Sequence, residues 1–211
     1  LAAIQAMAAE ITVVSPERIA QEMRRMLTHP SRARAMDALM DCGLIAAVLP
    51  PLIETKGLYQ GRPMQPEGDL WDHLLLTLSL LPHHADFPLA LAGLLHDVGK
   101  PRSRQIQDDG RATYHNHEAL GGRIADDLAR RLKLSNAERE RVAWLVTNHR
   151  YFGEAERLPV SKLKRMLANP GVDELLALHR ADALATVGHA RHVAYCEHFL
   201  EHQPAGPINP P

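Results

Sequence analysis

Apolar and polar positions recur along this chain with the spacing of helices. Alternation of period two is scarce, β-branched residues are few, and Leu, Ala, Arg and Glu dominate. The pattern predicts an all-α protein. "SPERIAQEMRRML" carries Ile19, Met23 and Met26 on one face, with Ser15 placed as N-cap and Pro16 as the first helical residue. "HPSRARAMDALMDCG" repeats the plan, with Ser31 as cap and Gly43 as stop, and "LIAAVLPPL" ends at two prolines. These short helices are expected to pack as a small bundle over residues 1–57. The Gly/Pro-rich loop "KGLYQGRPMQPEG" marks the boundary with a second unit, 58–203. That unit is predicted to hold six helical stretches: "DLWDHLLLTLSLL", "FPLALAGLLHDV", "NHEALGGRIADDLARRLKL", "NAERERVAWLVTNH", "VSKLKRMLA" and one long run from Val172 to His202. The Pro-rich tail, 204–211, is expected to fray.

Five of these helices aim a His or Asp along an apolar face. His73 is assigned a stripe with Leu76 and Leu80, and His117 one with Leu120, Ile124 and Leu128. His149 follows Val142, Leu145 and Val146, and Asp182 follows Leu175 and Leu178. The run Leu89 to Leu95 is apolar nearly all round, which predicts a central helix, yet it closes on the doublet His96-Asp97. Gly99 is expected to stop that helix and Pro101 to turn the chain away, leaving Lys100 at the mouth of any site. A single His on an apolar face reads as an ordinary core residue. Five helices doing the same thing call for a shared partner, because an unpaired buried carboxylate is costly. Neutral imidazole and carboxylate are the ligand set of divalent first-row ions, and the negative end of a helix dipole at Asp97 also favours a cation.

Composition adjusts this picture only a little. The 211 residues are 45% hydrophobic and 23% charged, enough for a packed core, and the formal net charge of -1 announces neither nucleic acid nor membrane. Histidine is over-represented, with 13. Cys42 and Cys196 lie far apart and fit no ligand pair, which predicts two reduced thiols in a cytoplasmic protein. No apolar run approaches the roughly 20 residues of a membrane span, and the first residues lack a signal-peptide layout. The sequence begins at Leu1, as a fragment or processed chain would.

His73, the doublet His96-Asp97 in "HDVGK" and the distant Asp182 in "HRADALA" resemble the HD-domain superfamily of metal-dependent phosphohydrolases. His117 in "YHNHEALGGRIA" and His149 in "LVTNHR" match the members that hold two metals. His115 rivals His117, which is preferred for its apolar face. "VSPERIAQEM" and the order of motifs are similar to the neck and HD region of bacterial tRNA nucleotidyltransferases (CCA-adding enzymes) and related poly(A) polymerases. The nucleotidyltransferase head of that family has a Gly-rich turn and paired aspartates on a strand. Gly121-Gly122 and Asp126-Asp127 fall on a helix and do not substitute, so nucleotide addition by these residues alone is not expected.

The resemblance implies an HD helical bundle behind a helical neck, with Mn, Fe, Co, Ni, Mg or Zn as cofactor. His73, His96, Asp97 and Asp182 would hold a first ion, and Asp97, His117 and His149 a second. Metal-bound hydroxide would then attack a phosphodiester or phosphomonoester. Lys100 would neutralise a substrate phosphate or pair with an acid. Arg150 would do the former or stay solvated, and His115 is a candidate to protonate the leaving group. Asp69 and Asp72 would orient ligands or, as the weightier alternative, cap their helix. His83, His84, His189, His192, His198 and His202 read as surface residues, although His198 and His202 have i, i+4 ligand spacing. Arg18, Arg24, Arg25, Arg32 and Arg34 read as a solvated face, or through the resemblance as a weak, salt-sensitive tRNA contact.

Two functions follow. One is a phosphodiesterase acting on cyclic (2',3' or 3',5') or linear nucleotide esters. The other is a tRNA-binding body with an accessory or vestigial HD site. The full ligand set favours the first. The metal's identity, the substrate and the oligomeric state stay open at this level.

Overall fold

The computed structural model describes residues 2–59 and 68–202, so most of the boundary loop and the whole predicted tail lie outside the described residues. The chain opens with α1 (Ala2–Met7), a 3-10 turn (Ala8–Val13), α2 (Pro16–Leu27), α3 (Arg32–Asp41), α4 (Leu44–Val48) and a second 3-10 turn (Pro50–Thr55). Then come α5 (Leu70–Leu80), α6 (Phe87–Leu95), α7 (Lys100–Ser103), β1 (Arg104–Ile106), β2 (Ala112–Tyr114), α8 (His117–Arg131) and α9 (Asn136–Asn148). A 3-10 segment (Tyr151–Arg157), α10 (Val160–Leu167), α11 (Val172–Val187) and α12 (Arg191–His202) complete it.

The all-α expectation holds, apart from one hairpin. β1 and β2 pair antiparallel with Gln105 opposite Thr113. Three-residue strands are too short for alternation to register, but Asp109-Gly110 is a turn signal, and Gly110 takes φ +79°. Helix α6 is central as predicted. All nine of its residues are buried, and α2, α5, α9 and α11 pack around it.

Several local readings change. Ser15 and Ser31 occupy N-cap positions without side-chain caps. The N–H of Arg18 bonds to the carbonyl of Ser15 instead of its hydroxyl. Asp69 forms a capping box with Asp72, so the capping alternative for this pair is realised. Ser135 with Glu138 does the same for α9, and Asp86 caps α6. Leu76 and Leu80 are exposed, and His73 lies instead on the face of Leu70, Leu74 and Thr77. A helix this rich in leucine offers two stripes, and periodicity alone cannot choose between them. The long final helix breaks after Val187 at Gly188, which takes φ +72° as a left-handed C-cap.

Gly99 also behaves differently from expectation. Its φ of -79° and ψ of -18° are right-handed, and the chain winds on into α7 with Lys100 and Pro101 in its first turn. What requires glycine is proximity, since a Cβ here would lie 2.1 Å from the carbonyl oxygen of His117 and 2.7 Å from the nitrogen of Gly121. The doublet's loop and the first turn of α8 meet backbone to backbone.

The segments before and after the boundary loop share one apolar core. Polar anchors reinforce the junction. Arg32, 1% exposed, donates from Nη2 to the carbonyls of Leu81 (2.7 Å) and Pro82 (2.8 Å), and Trp71 donates to Asp37 (3.1 Å). Arg24 pairs with Glu138 at 2.6 Å and lies 4.4 Å from the Phe87 ring centre. Arg32 is therefore buried structure rather than part of a solvated face, and Arg24 is half-buried. Arg18, Arg25 and Arg34 are exposed. Both cysteines are free thiols, Cys196 buried and Cys42 half-buried.

Candidate metal centre

Helix ends supply three of the histidines. His96 is the C-cap of α6, His149 the C-cap of α9, and His117 the first residue of α8 after Asn116, which is left-handed at φ 57°. In each, Nδ1 bonds to the carbonyl three residues earlier: Gly93 (2.9 Å), Tyr114 (2.7 Å) and Val146 (2.7 Å). A carbonyl only accepts, so each Nδ1 carries the hydrogen and each Nε2 turns inward. This is how outer partners orient the rings of metal-binding histidines. His73 enters from α5 and Asp182 from α11, where the Thr186 hydroxyl holds Asp182 Oδ1 at 3.2 Å.

The ring nitrogens converge on two carboxylates. His73 Nε2 lies 3.1 Å from His96 Nε2, 3.3 Å from Asp182 Oδ1 and 3.6 Å from Asp97 Oδ2. His96 Nε2 lies 3.5 Å from Asp97 Oδ2 and 3.7 Å from Asp182 Oδ1. On the other side, Asp97 Oδ1 is 3.1 Å from His117 Nε2 and 3.5 Å from His149 Nε2. The potential ligands divide into His73, His96 and Asp97 in one group and Asp97, His117 and His149 in the other. Asp97 is common to both. His73, His96, His117, His149 and Asp97 are at most 2% exposed.

These residues fit a divalent cation. Asp97 Oδ1 and His117 Nε2 are buried and 3.1 Å apart, yet neither has a hydrogen-bond partner among the described residues. They face a common point rather than one another. With Nδ1 protonated, a neutral His117 or His149 turns a lone pair toward a carboxylate oxygen, an arrangement that needs a positive charge between them. Ligand atoms about 3 Å apart are what a shared ion with bonds near 2.1 Å requires.

The electrostatics agree. Burial would raise both aspartates. The Lys100 ammonium and the His96 charge nevertheless hold Asp97 well below the usual carboxylate range, and His73 and His96 do so for Asp182. Burial disfavours charge on His96, but Asp97 and Asp182 outweigh it and push its pKa up to about 10. Burial lowers His149 and keeps it neutral. The centre demands cations, and a proton on His96 together with Lys100 are those the chain itself supplies.

A cleft of about 510 Å³ opens onto the centre. Lys100 stands at its edge with Nζ 2.5 Å from Asp97 Oδ2, so its acid-pairing alternative is realised. His115 and Arg150 are exposed on the lining. His115 thus sits at the rim while His117 sits at the centre. Sequence reasoning missed the hairpin wall of Thr113 and Tyr114, and also Glu118, whose Oε2 lies 3.3 Å from His117 Nδ1. It missed Thr186 too. The His-Glu doublet and the i+4 spacing from Asp182 were the available signals. Elsewhere, His198 and His202 are exposed as expected, with Glu201 beside them. No helix among the described residues is long and apolar enough to cross a membrane.

Comparison with known proteins places this geometry. Residues 70–187 match the HD domain, and residues 1–55 match the probable RNA- and SrmB-binding site of polymerase A. An A-adding tRNA nucleotidyltransferase of Deinococcus radiodurans is 38% identical over 137 residues, covering 63% of this chain and 31% of its own. A CC-adding tRNA nucleotidyltransferase of Thermus thermophilus is 33% identical over 183 residues, covering 82% and 40%. A multifunctional CCA protein of Janthinobacterium sp. is 30% identical over 161 residues, covering 76% and 38%. The chain thus spans less than half the length of these curated relatives. The HD match covers more than half of the chain and contains all six converging His and Asp residues, and the chain belongs to the HD-domain family.

Proposed function

We propose that the chain is a divalent-metal-dependent phosphohydrolase, most at home on nucleotide phosphodiesters, cyclic or linear. The observation that carries this reading is the shared carboxylate of Asp97, set between two groups of inward-turned histidines at the floor of a cleft that Lys100 and Arg150 also line. His73, His96, Asp97 and Asp182 would hold one ion, and Asp97, His117 and His149 a second. Divalent ions held by these residues would lower the pKa of bound water toward neutrality and would neutralise phosphoryl oxygens. The chain's own groups do the rest. Lys100 keeps Asp97 anionic, and with Arg150 it places positive charge where a phosphate would enter. His115, exposed on the cleft lining, would be the candidate to give a proton to the departing oxygen. Thr113 and Tyr114 of the hairpin form one wall of the cleft. On this reading residues 1–57 are a neck and 58–203 the hydrolase unit.

The test uses metal-stripped protein, added Mn²⁺, Ni²⁺ or Mg²⁺, a chromogenic phosphodiester and 2',3'-cyclic nucleotides. Turnover should require metal and vanish in Asp97→Ala. Absence of turnover with every metal, or full turnover in the variant, would overturn the proposal.

A second reading has its own support. The relatives are named for tRNA nucleotide addition, and the first 55 residues match an RNA-binding segment. The chain would then be a tRNA-binding body whose HD centre assists. Arg18, Arg25 and Arg34 remain exposed for phosphate contacts. Salt-dependent tRNA binding without hydrolysis of any ester would favour this reading.

A further inference from the structure

His179 has no role in the site as described, yet it is buried, 6% exposed, one helical turn before Asp182 on α11. Its Nδ1 lies 3.1 Å from the carbonyl oxygen of His149. Because the carbonyl accepts, Nδ1 is the donor and the remaining Nε2 is a bare acceptor. That Nε2 is buried without a hydrogen-bond partner among the described residues. The ring packs edge-on to Phe152, with centroids 6.3 Å apart, beside Gly153. His192 lies on another side, with ring centroids 6.4 Å apart, and its Nδ1 is likewise without a hydrogen-bond partner among the described residues. Of the two His179 nitrogens, Nδ1 is the one with a partner.

That partner lies at the end of α9. A helix terminus leaves its last carbonyls without partners inside the helix. Here the side chains of Thr147, Asn148 and His149 bond back to the carbonyls of Ala143, Trp144 and Val146, the first two of which already lie in the helix ladder. These three bonds are local to α9 and its C-cap. The bond to His149 O comes from another helix. We infer that His179 is a positioning residue that clamps the His149 main chain and so fixes the reach of the His149 ring to Asp97. Helix α11 then supplies a ligand to one half of the centre through Asp182 and registers the other half through His179. The inference rests on the metal-centre reading above, though its geometric part can be judged without metal.

The test compares the full chain with His179→Asn and His179→Leu. The Asn side-chain amide can place an N–H near the position of Nδ1, while Leu fills the pocket without a donor. In Mn²⁺ titrations by calorimetry, His179→Leu should bind about 10–100-fold more weakly, the usual cost of losing an outer partner. His179→Asn should stay within about threefold, since its donor is retained. A mere packing role predicts the reverse order, because Asn is the poorer filler, and that order would overturn the inference. Equal affinity of His179→Leu and the parent would overturn it too. If the parent binds no Mn²⁺, the metal reading fails by itself. Crystal structures of the metal-free proteins then decide the clamp, with the 3.5 Å separation of His149 Nε2 and Asp97 Oδ1 expected to widen only in His179→Leu. An unchanged distance there overturns it.

Discussion

Gly99→Ala tests whether the centre depends on backbone contact between the doublet's loop and α8. The φ of -79° suits alanine, so no conformational strain is introduced. The added Cβ would stand 2.1 Å from His117 O and 2.7 Å from Gly121 N. Both are main-chain atoms one helical turn apart, and no rotamer change can relieve them. Restoring an ordinary contact of about 3.4 Å requires α8 to withdraw by about 1.3 Å, a shift typical of overpacking. Such changes cost about 1–3 kcal/mol, against a gain below about 1 kcal/mol from stiffening the unfolded chain. A net loss of about 1–2 kcal/mol corresponds to a fall in Tm of about 2–8 °C at this length. The same shift carries His117 Nε2 away from Asp97 Oδ1, now 3.1 Å off, beyond the roughly 0.5 Å that a ligand set tolerates. Calorimetry should therefore find weaker Mn²⁺ binding as well as the lower Tm. Gly110→Ala is the control. Its Cβ meets nothing within 4 Å, so strain at φ +79° lowers stability locally and leaves metal affinity alone. Parental Tm and parental affinity in Gly99→Ala would refute the reasoning.

Arg32→Met preserves volume but leaves the Leu81 and Pro82 carbonyls without their donor, which should cost about 1–3 kcal/mol in denaturant unfolding. A loss under about 0.5 kcal/mol would mean the anchor is idle. In metal-free protein, the folded pKa of His96 is raised to about 10 from 6.5. Its stabilisation is complete below about pH 6.5 and lost as pH rises through about 10. Thermal melts should show that decline, and His96→Gln should flatten it. Mn²⁺ affinity should rise over the same window, because binding must expel the proton. Cys196 is fully buried, and burial pushes its thiol up to about 12. Ellman's reagent should label Cys42 first in native protein, and Cys196 only on unfolding. Equal labelling rates would contradict that burial.

The sequence by itself determined the helical class and the central apolar helix, and it singled out His73, His96, Asp97, His117 and His149 among the residues that turn out buried. Those properties are encoded locally, in the period of apolar positions and in the rarity of His and Asp on apolar faces. The HD resemblance then ordered the residues into a ligand set. Tertiary structure decided everything that depends on which helix meets which. It chose the face of α5 that carries His73, since leucines on both sides left the period ambiguous. It turned Gly99 from a helix stop into a contact with α8, and buried Arg32 beneath the junction. It separated His117, at the centre, from His115 at the rim, although they stand two residues apart. It also placed His179 against the carbonyl of His149, a bond between residues 30 apart that no spacing rule along one helix could reveal. Periodicity reports what a helix buries, and only packing reports against what.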